Sequence, residues 1–390
     1  MKNFGRTSIH EFLGDWVVYR NLVPADPRLP ALDALRGEVD LPPSQIPRKS
    51  EAGYARVIVL LLQAAQRLRG IPVPIRRLLF VGDTLLLDGT AFANICLAGG
   101  WPGLAFIGSE NTSPASSNIT STDTGQILYQ SNRWQALADF SSYTAALGFP
   151  VDDSTAVIVD IDKTALGARG RNGHVIDAAR VQAVQTTVAS LLAAAFDPQA
   201  FGAFYDLLNT PEFHPFTTDN QDYLAYICLI LSSGLYQLEN VVSDVRGGRL
   251  VSFEQFITQV DLRLGDLSPD LRVIHEDIFA NVRKGDPTPF KSFRRNEYMT
   301  TIRCFGRFPD DTPVEVLLDG EILVTQEVRA AALDWQSQGA LLFGLSDKPD
   351  EAATPTTELA AHGYLPIHRA ETHAVGTVVY PPGRDVMSSP

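Results

Sequence analysis

A run of β-branched residues that stops on two aspartates constrains this chain more than any other stretch. Thr155-Ala156-Val157-Ile158-Val159 has the length and composition of a strand buried on both faces, as in a parallel sheet. The run stops on Asp160, and Asp162 and Thr164 follow. Strands of open α/β sheets present polar groups at their carboxyl ends, where loops can hold a ligand. Two carboxylates at one such end can bind a hard cation such as Mg²⁺, and either can act in covalent or proton-transfer chemistry.

Two further stretches have the same form. Arg77 to Val81 reads as a buried strand ending in Gly82-Asp83, with Asp88 five residues on. Before it, Tyr54, Val57, Ile58, Leu61, Leu62, Ala65 and Leu68 mark one face of a helix over 51–68, with Ser50 as a plausible N-cap. After it come a helix over 90–98, a Gly99-Gly100 stop and a strand over 104–107, which makes a strand–helix–strand unit. Ala340 to Leu345 is the third buried strand. It follows a helix over 325–338 and ends in Ser346-Asp347-Lys348-Pro349. A short helix over 356–361 and a strand from Ala374 to Tyr380 come last. In one parallel sheet, Asp160, Asp162, Asp83, Asp88 and Ser346 would converge on a single edge. The expected fold is therefore α/β, a doubly wound parallel, Rossmann-like sheet.

The rest of the chain sets the organisation. Residues 1–48 are Pro-rich and read as an N-terminal arm, with a short helix between Ile9 and Leu22. Residues 49–169 form the first part of the α/β core; within them, 109–125 is a Ser/Thr/Asn linker and 132–147 a helix. Residues 170–320 carry helical patterns and no strand-like alternation, which marks an inserted all-α domain. Near its end, 283–295 reads as a basic, Pro-broken loop, and 314–324 returns toward strand character. Residues 321–390 complete the core. Net charge over the 390 residues is −13, with no long basic run. That argues against a nucleic-acid or membrane-surface binder and leaves a small phosphorylated molecule open as partner. No stretch has the apolar length of a signal peptide or a membrane span, so a cytoplasmic location is expected. The three cysteines fit neither a disulfide framework nor a zinc site. His174, His214 and His275 lack metal-ligand spacing.

Asp160-Ile-Asp162-Lys-Thr164 resembles the first motif of the haloacid dehalogenase-like superfamily, Asp-x-Asp-x-Thr/Val. Gly82-Asp83-Thr-Leu-Leu-Leu-Asp88 resembles the fourth motif, and Leu342-Phe-Gly-Leu-Ser346 the second. Lys49 stands where the lysine of the third motif would be, with Lys348 as a competitor. The resemblance spans residues 49–165 and 325–380. The motifs run third, fourth, first, second, the rotation that a circular permutation would give, with 109–153 joining the old termini. The helical insert resembles the family's helical cap in its place between the first and second motifs.

The resemblance implies a Mg²⁺-dependent phosphomonoesterase working through an aspartyl-phosphate. Asp160 would be the nucleophile and Asp162 the general acid and base. Mg²⁺ would lie between Asp160, the backbone carbonyl of Asp162 and Asp83, supported by Asp88. Ser346 would bind a phosphoryl oxygen, and Lys49 would neutralise charge on Asp160 and the transferring group. Lys348, Lys291 and Arg294 are candidates for binding substrate; the latter two, with Arg283, Lys284 and Arg295, would read a second anionic feature. A phosphomutase of the same superfamily and a non-catalytic phospholigand-binding scaffold are the alternatives. Oligomeric state is left open.

Overall fold

The computed structural model describes residues 1–43 and 45–378. The chain divides into two compact units: residues 1–177 with the described residues from 301 onward, and residues 178–300.

Along the first unit the chain forms β1 (Lys2–Thr7), α1 (His10–Leu13), β2 (Val17–Val18), α2 (Leu32–Val39) and α3 (Ala52–Leu68). It continues through β3 (Arg77–Gly82), α4 (Thr90–Gly99), β4 (Gly103–Gly108), β5 (Ser117–Ser121), β6 (Ile127–Ser131), α5 (Leu137–Ala146) and β7 (Thr155–Asp160). Helix α6 (Gly173–Leu192) crosses into the second unit. That unit holds α7 (Pro198–Leu208), α8 (His214–Thr217), α9 (Gln221–Ser232), α10 (Leu238–Arg246), α11 (Phe253–Asp261) and α12 (Pro269–Arg283). Helix α13 (Lys291–Ile302) carries the chain back. The first unit is completed by α14 (Val314–Gly320), β8 (Val324–Thr325), α15 (Gln326–Ser337), β9 (Leu341–Leu345), α16 (Asp350–Ala353), α17 (Thr357–Ala361) and β10 (Thr372–Gly376).

The main sheet has seven strands in the order β2-β9-β7-β3-β4-β6-β5. All neighbours are parallel except β5, which runs antiparallel to β6 along the outer edge. Every residue of β7 is buried, as its unbroken apolar run requires. Alternate residues of the central strands face opposite layers. Phe80, Ile158 and Phe343 join Tyr54, Ile58, Leu61 and Leu62 of α3 in one apolar core. Phe106 of β4 meets Tyr129, Trp134 and Phe140 at ring separations of 5.8–6.1 Å, and Phe140 meets Trp335 of α15 edge-on. The doubly wound α/β expectation is met at this level.

Several boundaries are corrected. The segment 1–48 is part of the body: Val17 and Val18 pair with Gly344 and Leu345, and β1 pairs with β10. The span 109–125 is more than a linker, because it holds β5, with β6 just after it, while the helix expected over 132–147 is found as α5. Residues 314–320 are helical, and strand pairing there is limited to Val324 and Thr325. β10 lies in a separate three-stranded sheet with β1 and β8, and Tyr380 of the strand expected there lies outside the described residues. Glu51 takes the N-cap position of α3 in place of Ser50.

The second unit is all helix among its described residues, as expected, but it is shorter than 170–320. Its core joins Val184, Phe201, Leu224, Ile227, Phe253, Phe256 and Phe293. The expected basic loop over 283–295 is a short connection between α12 and α13, so Lys291 and Arg294 are helical.

Candidate functional site

Register sets the site. Val81 of β3 pairs with Val159 of β7, and Asp160 pairs with Leu345 of β9. The three strands therefore end nearly level, and Asp83, Asp160 and Ser346 emerge together at the carboxyl edge. One carboxylate oxygen from each of Asp83, Asp88 and Asp160 lies within 4.8 Å of the others.

The loop after β3 is built to aim Asp88 inward. Asp88 Oδ2 accepts from the backbone N–H of Asp83 and of Thr84, both at 2.9 Å, and from Thr84 Oγ1 at 3.0 Å. A Cβ at Gly82 would sit 2.6 Å from the Asp88 Cβ, so this approach requires glycine. The other oxygen, Asp88 Oδ1, accepts from Lys49 Nζ at 2.5 Å. Lys49 Nζ also donates to Asp160 Oδ1 at 2.6 Å. All three side chains are buried.

Electrostatics follow from that arrangement. Burial alone would lower the pKa of Lys49, but the charges of Asp160 and Asp88 outweigh it and hold the ammonium well above its ordinary value. Burial would raise Asp88, yet Lys49 and the Thr84 N–H bring it down to about 2. Burial, followed by the charge of Asp88, pushes Asp83 up to about 7 despite Arg169 beside it. Asp160 is raised by burial and by the neighbouring Asp88 and Asp83, with Lys49 opposing. Three carboxyl groups face two cations here, the buried Lys49 and the partly exposed Arg169. Their donor set, oxygen alone, suits a hard divalent cation such as Mg²⁺.

The remaining sequence-predicted residues divide. Asp162 is half-buried beyond the end of β7 and forms a parallel bridge with Leu166. Thr164 is buried, and its carbonyl accepts from Thr325 Oγ1 at 2.5 Å. Ser346 is buried; its N–H donates to Val18 O at 3.0 Å, and its Oγ accepts from Lys348 N at 3.0 Å. Lys348 is buried at the same strand end, and its carbonyl accepts from Arg20 N at 3.1 Å. Lys49 bonds to two of the carboxylates, Asp88 and Asp160.

Lys291 and Arg294 belong to the helical unit. Lys291 pairs with Asp286 at 2.9 Å. Arg294 is buried against Asp222 at 2.5 Å and Glu297 at 2.5 Å, and Asp222 also accepts from Phe290 N at 3.0 Å. The expectation that Arg294 reads a distal anion gives way to a core ion pair, since two carboxylates already match its charge. His275 is a satisfied core histidine, bonded to Tyr226 and Asp261.

The sequence reading missed Arg169, which donates through Nε to Asp83 Oδ2. Its only signal was a cation between Gly167 and Gly170, shortly after the Asp-x-Asp-x-Thr run.

Comparisons with protein-family models, curated proteins and solved structures find no match. Among the described residues, no helix is long and apolar enough to cross a membrane.

Proposed function

We propose that the protein is a Mg²⁺-dependent phosphomonoesterase of haloacid dehalogenase-like type, acting on a small phosphorylated metabolite. The observation that carries this reading is the buried constellation of Lys49, Asp88, Asp160 and Asp83 at one sheet edge. The adjacency of β9, β7 and β3 supports it further, because the resemblance requires the second, first and fourth motifs on neighbouring strands. Asp160, Asp83 and the carbonyl of Asp162 would hold the cation, with Asp88 orienting the surroundings. Bound Mg²⁺ shields the repulsion between an anionic nucleophile and an anionic phosphoryl group.

In the first step an oxygen of Asp160 attacks phosphorus and the bond to the leaving oxygen breaks, while Asp162 gives that oxygen its proton. In the second, Asp162 takes a proton from water, which attacks the same phosphorus. Inorganic phosphate leaves and the Asp160 carboxylate is restored. Lys49 offsets the charge of Asp160 throughout, and Ser346 holds a phosphoryl oxygen. The rotated motif order is read as a circular permutation, and residues 178–300 as the cap that sets specificity.

A panel of phosphorylated metabolites incubated with Mg²⁺, with free phosphate as the readout, tests the reading. Phosphate release that is lost on Asp160→Asn is the expected result. Transfer without release would identify a phosphomutase, and silence across the panel would favour a phospholigand-binding scaffold.

A further inference from the structure

The loop after β7 brings a second cation to the site. Arg169 bonds to Asp83, yet its side chain is 41% exposed while that of Asp83 is 7% exposed. Its backbone, by contrast, is held from three sides. Arg169 N donates to Lys163 O at 2.8 Å, and Arg169 O accepts from Glu110 N at 2.9 Å and Trp134 Nε1 at 3.2 Å. The next residue, Gly170, has φ +77°, and a Cβ there would collide with the Glu110 carbonyl. Beyond it the buried guanidinium of Arg171 is clamped between Glu110 at 2.7 Å and Glu327 at 2.9 Å. The loop is thus riveted on both sides of Arg169, and its exposed guanidinium is held by the carboxylate of Asp83.

With Arg169 on Asp83 Oδ2, a divalent ion would have to share this carboxylate with the guanidinium. A divalent ion takes carboxylate oxygens at about 2.0–2.6 Å and would face a guanidinium within a few ångströms. Resting on the reading of this site as a cation-assisted phosphoryl-transfer centre, we propose that Arg169 competes with the divalent cation for Asp83 and, once displaced, binds the anionic group of the substrate. With the cation in place, the three aspartates are balanced by it and by Lys49. Arg169, no longer needed to neutralise Asp83 and 41% exposed, is then available to an incoming phosphate. Because its backbone is fixed, only the side chain has to swing, a motion of nanoseconds that need not disturb the strands.

The experiment titrates Mn²⁺ into the full chain, wild type and Arg169→Ala, reading free Mn²⁺ by electron paramagnetic resonance. Circular dichroism checks the fold. Arg169→Gln, which keeps the stem, replaces the alanine variant if that one does not fold. The variant is expected to bind Mn²⁺ about three- to tenfold tighter, the scale of one partly exposed charge-assisted bond. At saturating Mn²⁺ it should bind inorganic phosphate more weakly by a similar factor, and Arg169→Lys should recover part of that loss. Equal or weaker Mn²⁺ binding by the variant, with wild type binding normally, overturns the competition. Unchanged phosphate affinity overturns the anion role. Absence of Mn²⁺ binding by every form would remove the cation-assisted reading itself, and this proposal with it.

Discussion

At Lys49 one ammonium group answers two carboxylates, Asp88 and Asp160, inside a region closed to water. Such an arrangement holds charge in place but leaves none to move a proton, so on the proposed reading proton transfer falls to the half-buried Asp162. Asp162→Asn should keep the fold and Mn²⁺ affinity while losing about 10²- to 10⁴-fold in turnover of alkyl phosphates. With nitrophenyl phosphate, whose leaving group needs no proton, part of the first step should survive in a rapid-quench burst. Full alkyl-phosphate turnover would refute the assignment. Asp83 gives a second prediction. Its pKa in the cation-free fold, about 7, lies above the ordinary carboxylate value of roughly 3.9. A group raised on folding contributes stability that is fully present below its unfolded pKa and lost as pH rises through the folded one. In EDTA the melting temperature should therefore fall between about pH 4 and 7. Added Mg²⁺ should raise it more at the upper end, as scanning calorimetry would show.

Among the elements, the strands that carry the site announced themselves because each combines a dense apolar run with an abrupt polar end. That signal is local, and Ala156–Val159, Leu78–Val81 and Leu341–Leu345 all carry it. β2 carries none, since two valines inside a stretch that reads as a short helix are too short a pattern, and pairing with β9 is what makes them a strand. Likewise β6 follows a polar stretch, and only its neighbour β4 gives it a place. Arg169 was equally hidden, because its partner Asp83 lies 86 residues away in sequence. Deleting residues 1–18 should do more than trim an arm. It removes the packing of Leu13 and Val17 on Gly344 and leaves β9 as an open edge. We expect a lower melting temperature and concentration-dependent light scattering; a monomer melting like the full chain would return this segment to an accessory role.

At the scale of the whole molecule, each unit holds a buried ion-pair cluster of its own. Arg294, with Asp222 and Glu297, lies wholly within residues 178–300, and Lys49 with its aspartates wholly within the α/β unit. Arg294→Ala leaves Asp222 buried without its cation, while Glu297 keeps Arg180 at 3.1 Å, and should cost about 3–5 kcal/mol in the helical unit. Urea unfolding should show that loss, while Mn²⁺ affinity stays that of the wild type.

The pairing of β1 with β10 and of β2 with β9 also fixes when this protein can finish folding. Val17 leaves the ribosome long before its partner Gly344 is made, and Lys2 waits for Gly376. The nascent chain must therefore carry unpaired strand segments through most of its synthesis, and closing so distant a contact is slow. The edge of the sheet that supports Ser346 through Val18 is then among the last parts to form, so the site would become complete only after residue 346 and its surroundings have been released.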